Sequence, residues 1–411
     1  MTILINALGI IILLGILYLL SSDKKAINKK MIAKAFIIQF ILAFLLVKFP
    51  LGRAALQKVS DVVTATLSYG FEGLSFVFGP LADSGAPTGM IFGIQVLGNI
   101  IFISALVAAL YYLGIIGAVV KAIGGVIGKV LGTSKVESFV AVANMFLGQT
   151  ESPILVSKYL SGMTKSEIML VLVSGMGSMS ATVLMGYAGL GIPMEYLLIG
   201  GALVPLGSII VSKIILPETE VEHEFVAKGH EHEGSKEEIS IDNKGDNPNL
   251  ISAISQGAND GLQMALGIGA SLIAIIALVA LVNGILGVVG LSLEQILSYI
   301  FAPIGALMGL PTDKILTASQ LLGSKLVLNE FVAFGQLGTM LPNLDYRTGL
   351  MMAISLCGFA NISSMGICIS GISVFCPEKR SLLAKLAFKG MLGGFFVSVL
   401  SALVVGLIIA I

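Results

Sequence analysis

Apolar stretches near the length of a membrane-crossing helix recur from one end of this 411-residue chain to the other. The clearest run from Ile3 to Leu20, Ala35 to Phe49, Ile91 to Val120, Leu197 to Leu216, Leu262 to Leu286 and Met391 to Ile411. A helix rising about 1.5 Å per residue needs about 20 residues to cross a bilayer core of about 30 Å. Charged side chains make up 12% of the chain, against about 25% in an ordinary soluble domain. Mean hydropathy is +0.99. These features argue against a soluble fold and for an all-α integral membrane protein.

The flanking charges orient the runs. Lys24, Lys25, Lys29 and Lys30 follow the first run, and Lys379, Arg380, Lys385 and Lys389 accompany the start of the last. Basic flanks stay cytoplasmic, so both termini are predicted outside a cell or inner membrane, with an even number of crossings, about eight. The first run has no basic segment before it and reads as a span rather than a cleaved leader. Formal net charge is zero, which gives no footprint for a nucleic acid. Cys357, Cys368 and Cys376 have no metal or redox spacing and read as packing residues.

One segment differs in composition, the acidic and polar stretch 217–249. It reads as a solvated linker between two membrane halves, and its His223, His230 and His232 as loop residues rather than metal ligands. On either side of it the same order appears. First comes 136–160, whose middle reads NMFLGQTESP, with lysines at both ends. Positive charge on both flanks places both ends on one side, the pattern of a re-entrant hairpin. The second candidate hairpin is 312–343, containing GSKLVLNEF. After each comes a span interrupted by small and hydroxyl residues, Ser174 to Thr182 and Cys357 to Gly366. Paired interruptions in two halves point to a transporter built from inverted repeats, with binding groups at mid-membrane. The predicted division is 1–120 mainly scaffold helices; 121–216 first hairpin and broken helix; 217–249 linker; 250–311 an amphipathic helix and a scaffold helix; 312–411 second hairpin and broken helix, with interfacial helices accompanying the spans at unassigned places.

Carboxylates at bilayer depth cost about 2.5–3.5 kcal/mol on insertion scales, so Glu151 and Glu330 call for a reason. They serve either as ligand groups or as helix caps and partners of Lys158 or Lys325. Gln149, Thr150, Glu151, Glu330, Asn361 and Ser364 offer donors and acceptors with little fixed positive charge. Such a set suits a neutral, hydroxyl- and amide-rich ligand, and a carboxylate with Asn and Ser suits vicinal hydroxyls. Phe359 offers an apolar face for a ring. Asn144 and Ser178 bring hard oxygens to two predicted helix breaks, where small cations are held in transporters. Within the spans no histidine, Ser–His pair or metal-ligand cluster occurs, so an enzyme is not expected.

The stretches NMFLGQTESP, GSKLVLNEFVA and GFANISSMGI, in this order, resemble the motifs of the concentrative nucleoside transporters. The likeness covers nearly the whole chain apart from the linker, and is to a short bacterial member. It implies a homotrimer whose mobile part carries both hairpins across the membrane in the manner of an elevator, importing nucleosides by cation symport. It implies nucleobase contacts from Gln149, Thr150 and Glu151, and ribose contacts from Glu330, Asn361 and Ser364. Val183 and Phe359 would line the pocket. Sodium would be held by Asn144, Ser178 and the backbone carbonyls of Leu147 and Met179. The alternatives are coupling to protons through Glu151 or Glu330, or a passive channel for a small polar solute.

Overall fold

The computed structural model describes residues 2–149, 151–220 and 247–411. Thr150 and most of the predicted linker, including its three histidines, lie outside the described residues. Among those described, the regular structure is helical and no strand occurs.

The N-terminal part contains α1 (Thr2–Leu20), α2 (Lys29–Val47), α3 (Pro50–Phe78), α4 (Phe92–Gln95), α5 (Leu97–Tyr112) and α6 (Ile115–Leu131). Asn28 starts α2 by accepting the Met31 N–H at 3.0 Å. The 29-residue α3 is absent from the apolar runs because Arg53, Lys58, Asp61 and Glu72 interrupt its sequence. It buries a single face, Leu56, Ser60, Leu67, Gly70 and Leu74, as an interfacial helix does. The run from Ile91 to Val120 is divided rather than continuous. Gly114, at φ +78°, ends α5 and turns the chain into α6.

The first repeat follows, with α7 (Lys135–Ala143), α8 (Glu151–Leu155), α9 (Ser157–Leu160), α10 (Lys165–Gly177), α11 (Ala181–Gly189) and α12 (Met194–Ile215). Two bridging helices come next, α13 (Leu250–Gly287) and α14 (Leu293–Leu307). The predicted pair of helices at the start of the second half is thus led by one continuous 38-residue helix, α13. The second repeat has α15 (Ile315–Val327), α16 (Glu330–Met340), α17 (Tyr346–Leu356), α18 (Ile362–Phe375) and α19 (Arg380–Ala410). A set of short helices, a broken helix and a long helix therefore occur twice in the same order.

Seven helical stretches among the described residues are long and apolar enough to cross a membrane. Helix α18 is apolar but shorter. The hairpin arms α15 and α16 have 13 and 11 residues, too few to span. The centre of the molecule is α10–α11, α12 and α19, where more than four-fifths of the most apolar window is buried. In α13 that share is 6%.

The segments assigned to one side by charge meet at one end of the molecule. The Ser22 N–H donates to the Ile215 carbonyl at 3.0 Å, and Lys379 Nζ donates to the Met163 carbonyl at 2.8 Å. Here Ser134 and Thr164 cap α7 and α10 in reciprocal boxes with Glu137 and Glu167. Ser134 Oγ also donates to Glu167 at 2.8 Å, tying the two caps together. Lys213, at the end of α12, forms a buried ion pair with Glu137 and donates to Ser166 Oγ at 2.9 Å. The start of the predicted linker joins this network. Thr164 Oγ1 donates to Glu218 at 2.7 Å, and Lys165 pairs with Glu220 at 3.1 Å.

Candidate functional site

Each broken helix stops where its sequence withdraws the means to continue. In the first, Ser178, Met179 and Ser180 leave the helix after Gly175 and Gly177. In the second, Gly358 takes φ +103°, a value that only glycine adopts readily. A Cβ there would meet the carbonyl carbon of Gly177 at 2.7 Å. The two interruptions are therefore in contact, and the Phe359 N–H donates to the Ser178 carbonyl at 3.1 Å.

Four half-helices present their first turns to one cavity of about 410 Å³: α8 with Glu151, α11 with Val183, α16 with Glu330, and α18 with Ser363 and Ser364. Helix N-termini carry partial positive charge. Two of the four bear a carboxylate in that turn, so the cavity does not present a net positive field. Such a site matches a neutral ligand better than an anion.

Glu330 is buried, and both its oxygens are held. Tyr187 OH, from α11, donates to Oε1 at 3.2 Å, and Asn361 Nδ2 donates to Oε2 at 3.0 Å. Asn361 is also the N-cap of α18, its Oδ1 accepting the Ser364 N–H at 2.9 Å. Capping fixes the Asn361 side chain, so its amide can face Glu330. Asn329 caps α16 in the same way, accepting the Val332 N–H at 2.9 Å. The Tyr187 ring packs on Phe331 and Phe334, with centroids 4.7 and 4.4 Å away.

Lys325 makes no direct ion pair with Glu330. It is wholly buried, and its three ammonium protons go to the carbonyls of Ser355 (3.0 Å) and Cys357 (2.8 Å) and to Ser398 Oγ (2.7 Å). Glu151 lines the cavity and accepts the Gly148 N–H at 3.1 Å. Gln149 spans the two repeats. Its amide donates to Ser364 Oγ at 3.5 Å, and its carbonyl oxygen accepts from Cys368 Sγ at 3.3 Å.

Of the predicted ligand residues, Gln149, Glu151, Val183, Glu330, Phe359, Asn361 and Ser364 all line this cavity. The predicted cation residues lie behind it. Asn144 and Ser178 are fully buried, and Leu147 and Met179 nearly so. Asn144 is the C-cap of α7, donating to Ser174 Oγ at 2.9 Å and accepting from Ser152 Oγ at 2.7 Å. Ser178 Oγ gives its proton to the Gly175 carbonyl at 3.1 Å, which leaves its lone pairs available. All four residues present neutral oxygens, the donor type a small hard cation takes.

Sequence reasoning missed one wall of the cavity and one partner of Glu330. Met264, Gly267, Ile268 and Ser271 reach the cavity from α13. Their only signal was a glycine and serine interruption within an otherwise apolar run. Tyr187 gave no signal beyond being a tyrosine inside a span.

A family described as Na+ dependent nucleoside transporter, C-terminus, matches residues 196–406, and its N-terminal counterpart matches 8–81. A family described as nucleoside recognition matches 93–194. The nucleoside permease NupC of Helicobacter pylori is 38% identical, over 99% of this chain and 98% of its own length. Sodium/nucleoside cotransporter 1 of Mus musculus is 31% identical, over 98% of this chain and 64% of its own length. Among solved structures, CNTnw in an inward-facing, substrate-bound state superposes with a TM-score of 0.92 at 36% identity, covering 100% of this chain and 99% of that one. A doubly substituted CNTnw in an outward-facing state superposes equally well, at 0.92 and 36%, over the same shares.

Proposed function

This chain belongs to the concentrative nucleoside transporter family, and from that premise we propose that it imports nucleosides by symport with sodium. As a family member it is a multi-pass membrane transporter and not an enzyme. Solved relatives adopt both inward- and outward-facing states, which supports alternating access. The observation that carries the substrate reading is the Glu330 cluster. A carboxylate held from two other helices faces a cavity with no basic side chain among its described lining residues.

In this reading Glu330 accepts from the ribose hydroxyls, while Asn361 and Ser364 complete the ribose site. A carboxylate has about four lone-pair positions, so the bonds from Tyr187 and Asn361 leave acceptor capacity toward the cavity. Gln149, Thr150 and Glu151 meet the nucleobase, between Val183 and Phe359. Sodium sits behind the cavity on Asn144, Ser178 and the carbonyls of Leu147 and Met179. A bound ion at the break orders the hairpin tip that carries Gln149 and Glu151, so ion and nucleoside favour the same state. Coupling requires nothing further.

The mobile unit contains both hairpins and both broken helices, within 121–216 and 312–411, and moves as an elevator against scaffold helices from 1–120 and 250–311, in a homotrimer. Both termini lie outside the cell or inner membrane. The contact between the two interruptions supports their moving as one block.

The test is uptake of labelled uridine and adenosine into proteoliposomes under an imposed sodium gradient or a proton gradient alone. Accumulation driven by sodium is expected. Accumulation driven only by protons overturns the ion assignment, and equilibration without accumulation makes the protein a passive pathway.

A further inference from the structure

The Lys325 side-chain nitrogen lies where α17 ends and its last carbonyls are left without partners in the helix. Its ammonium sits at the C-terminal end of α17, on the carbonyls of Ser355 and Cys357, with Ser398 Oγ as third acceptor. The Phe395 ring lies 5.8 Å away and adds a further face that attracts a cation. None of its surface reaches solvent. An isolated charge at this depth is costly, so its retention by three converging acceptors marks a built site.

The same place in the first repeat is organised differently. There Asn144, at the end of the first hairpin arm, reaches the last turn of α10 through Ser174. In the second repeat Lys325, in the last turn of the first hairpin arm, reaches the last turn of α17 through Ser355. One repeat thus offers neutral oxygens at its break, and the other supplies its own ammonium. The consequences of the second arrangement run straight into the ligand cavity. Cys357, whose carbonyl Lys325 holds, is followed by Gly358 and by Phe359, which donates to Ser178. Asn361, two residues further on, holds Glu330.

We propose that Lys325 is a tethered cation for the second repeat: its ammonium occupies the broken end of α17 as a mobile ion occupies the break in the first repeat, and so positions Phe359, Asn361 and Ser364 for the ligand. Lys325 is a positioning residue and does not touch the nucleoside. The inference extends the symporter reading above and rests on it only for the identity of the ligand and of the mobile ion.

The experiment uses purified full-length protein and two substitutions, Lys325→Met and Lys325→Ala. Equilibrium binding of uridine and adenosine is measured together with thermal unfolding, each with and without methylammonium chloride. Lys325→Met is expected to weaken nucleoside binding at least ten-fold. Lys325→Ala leaves room for a small ammonium, so methylammonium is expected to raise its Tm and restore part of its affinity. The native protein and Lys325→Met are expected not to respond. Binding by Lys325→Met within two-fold of native overturns the proposal, as does a Tm of Lys325→Ala that methylammonium leaves unchanged. Should neither lysine variant fold, Ser398→Ala keeps the charge and removes one acceptor. It is expected to weaken binding about three-fold, and unchanged affinity overturns the proposal. The unfolding arm involves no nucleoside. If the native protein binds neither nucleoside, the substrate reading fails while the Tm response still decides the role of Lys325.

Discussion

The Phe359 N–H donates to the Ser178 carbonyl at 3.1 Å, so two helices from different repeats are joined at the points where each is broken. This single bond puts a residue of the candidate ligand cavity one peptide away from the candidate cation site. Under the proposed symport, this bond is the short route from ion to aromatic face.

Gly358→Ala tests that crossing. The added methyl would meet the Gly177 oxygen at 2.5 Å in a backbone conformation that alanine avoids. A destabilisation of about 1–3 kcal/mol is expected from backbone strain alone, with more from the collision. Thermal unfolding in detergent would register it as a lower Tm, and uptake in proteoliposomes should fall to background.

Glu330→Gln and Tyr187→Phe separate the carboxylate from its support. Hydrogen bonds to a charged group contribute about 1.5–3 kcal/mol, so Glu330→Gln should raise KM for a nucleoside by about ten-fold or more. Tyr187→Phe keeps the packing on Phe331 and Phe334 and loses one donor. A smaller KM increase is expected, on the order of three- to ten-fold. Equal effects of the two substitutions would contradict the carboxylate as the ligand anchor.

Asn144→Ala removes an oxygen from the candidate cation site without touching the cavity lining. The half-saturating sodium concentration for uptake should rise several-fold, while nucleoside affinity at saturating sodium changes little. A change confined to nucleoside affinity would remove Asn144 from the ion site. Sodium titrations of initial uptake rate provide the measurement.

Lys213→Met breaks the buried pair with Glu137 and leaves that carboxylate without its cation. Losing one partner of a buried pair costs about 3–5 kcal/mol. The double substitution Lys213→Met with Glu137→Gln should recover much of the loss, a pattern that a double-mutant cycle on thermal stability would reveal.

The sequence made legible what depends on a residue standing out from its surroundings. Glu151, Glu330 and Asn361 are polar groups in apolar segments, and Gly358 is a glycine where a helix should continue. Each carries its own signal, and each lines the cavity or shapes the break beside it. Residues whose role comes from a neighbour in space gave none. Tyr187 looks like core until Glu330 arrives from a helix 143 positions away in the chain. Lys325, five residues before Glu330, gave no sign that α17 would present its carbonyls to it. Helix α3 stayed out of the apolar runs because its character lies in one face rather than in its mean.

The least buried of the long helices also closes the cavity. The apolar stretch of α13 from Leu262 to Leu286 extends about 37 Å at helical rise, beyond the ~30 Å of a typical hydrocarbon layer. A helix of that length spans with some tilt, and packing against its neighbours sets the angle. Met264, Gly267, Ile268 and Ser271 lean with it. One wall of the cavity therefore belongs to a helix whose apolar length exceeds the hydrocarbon layer it would cross.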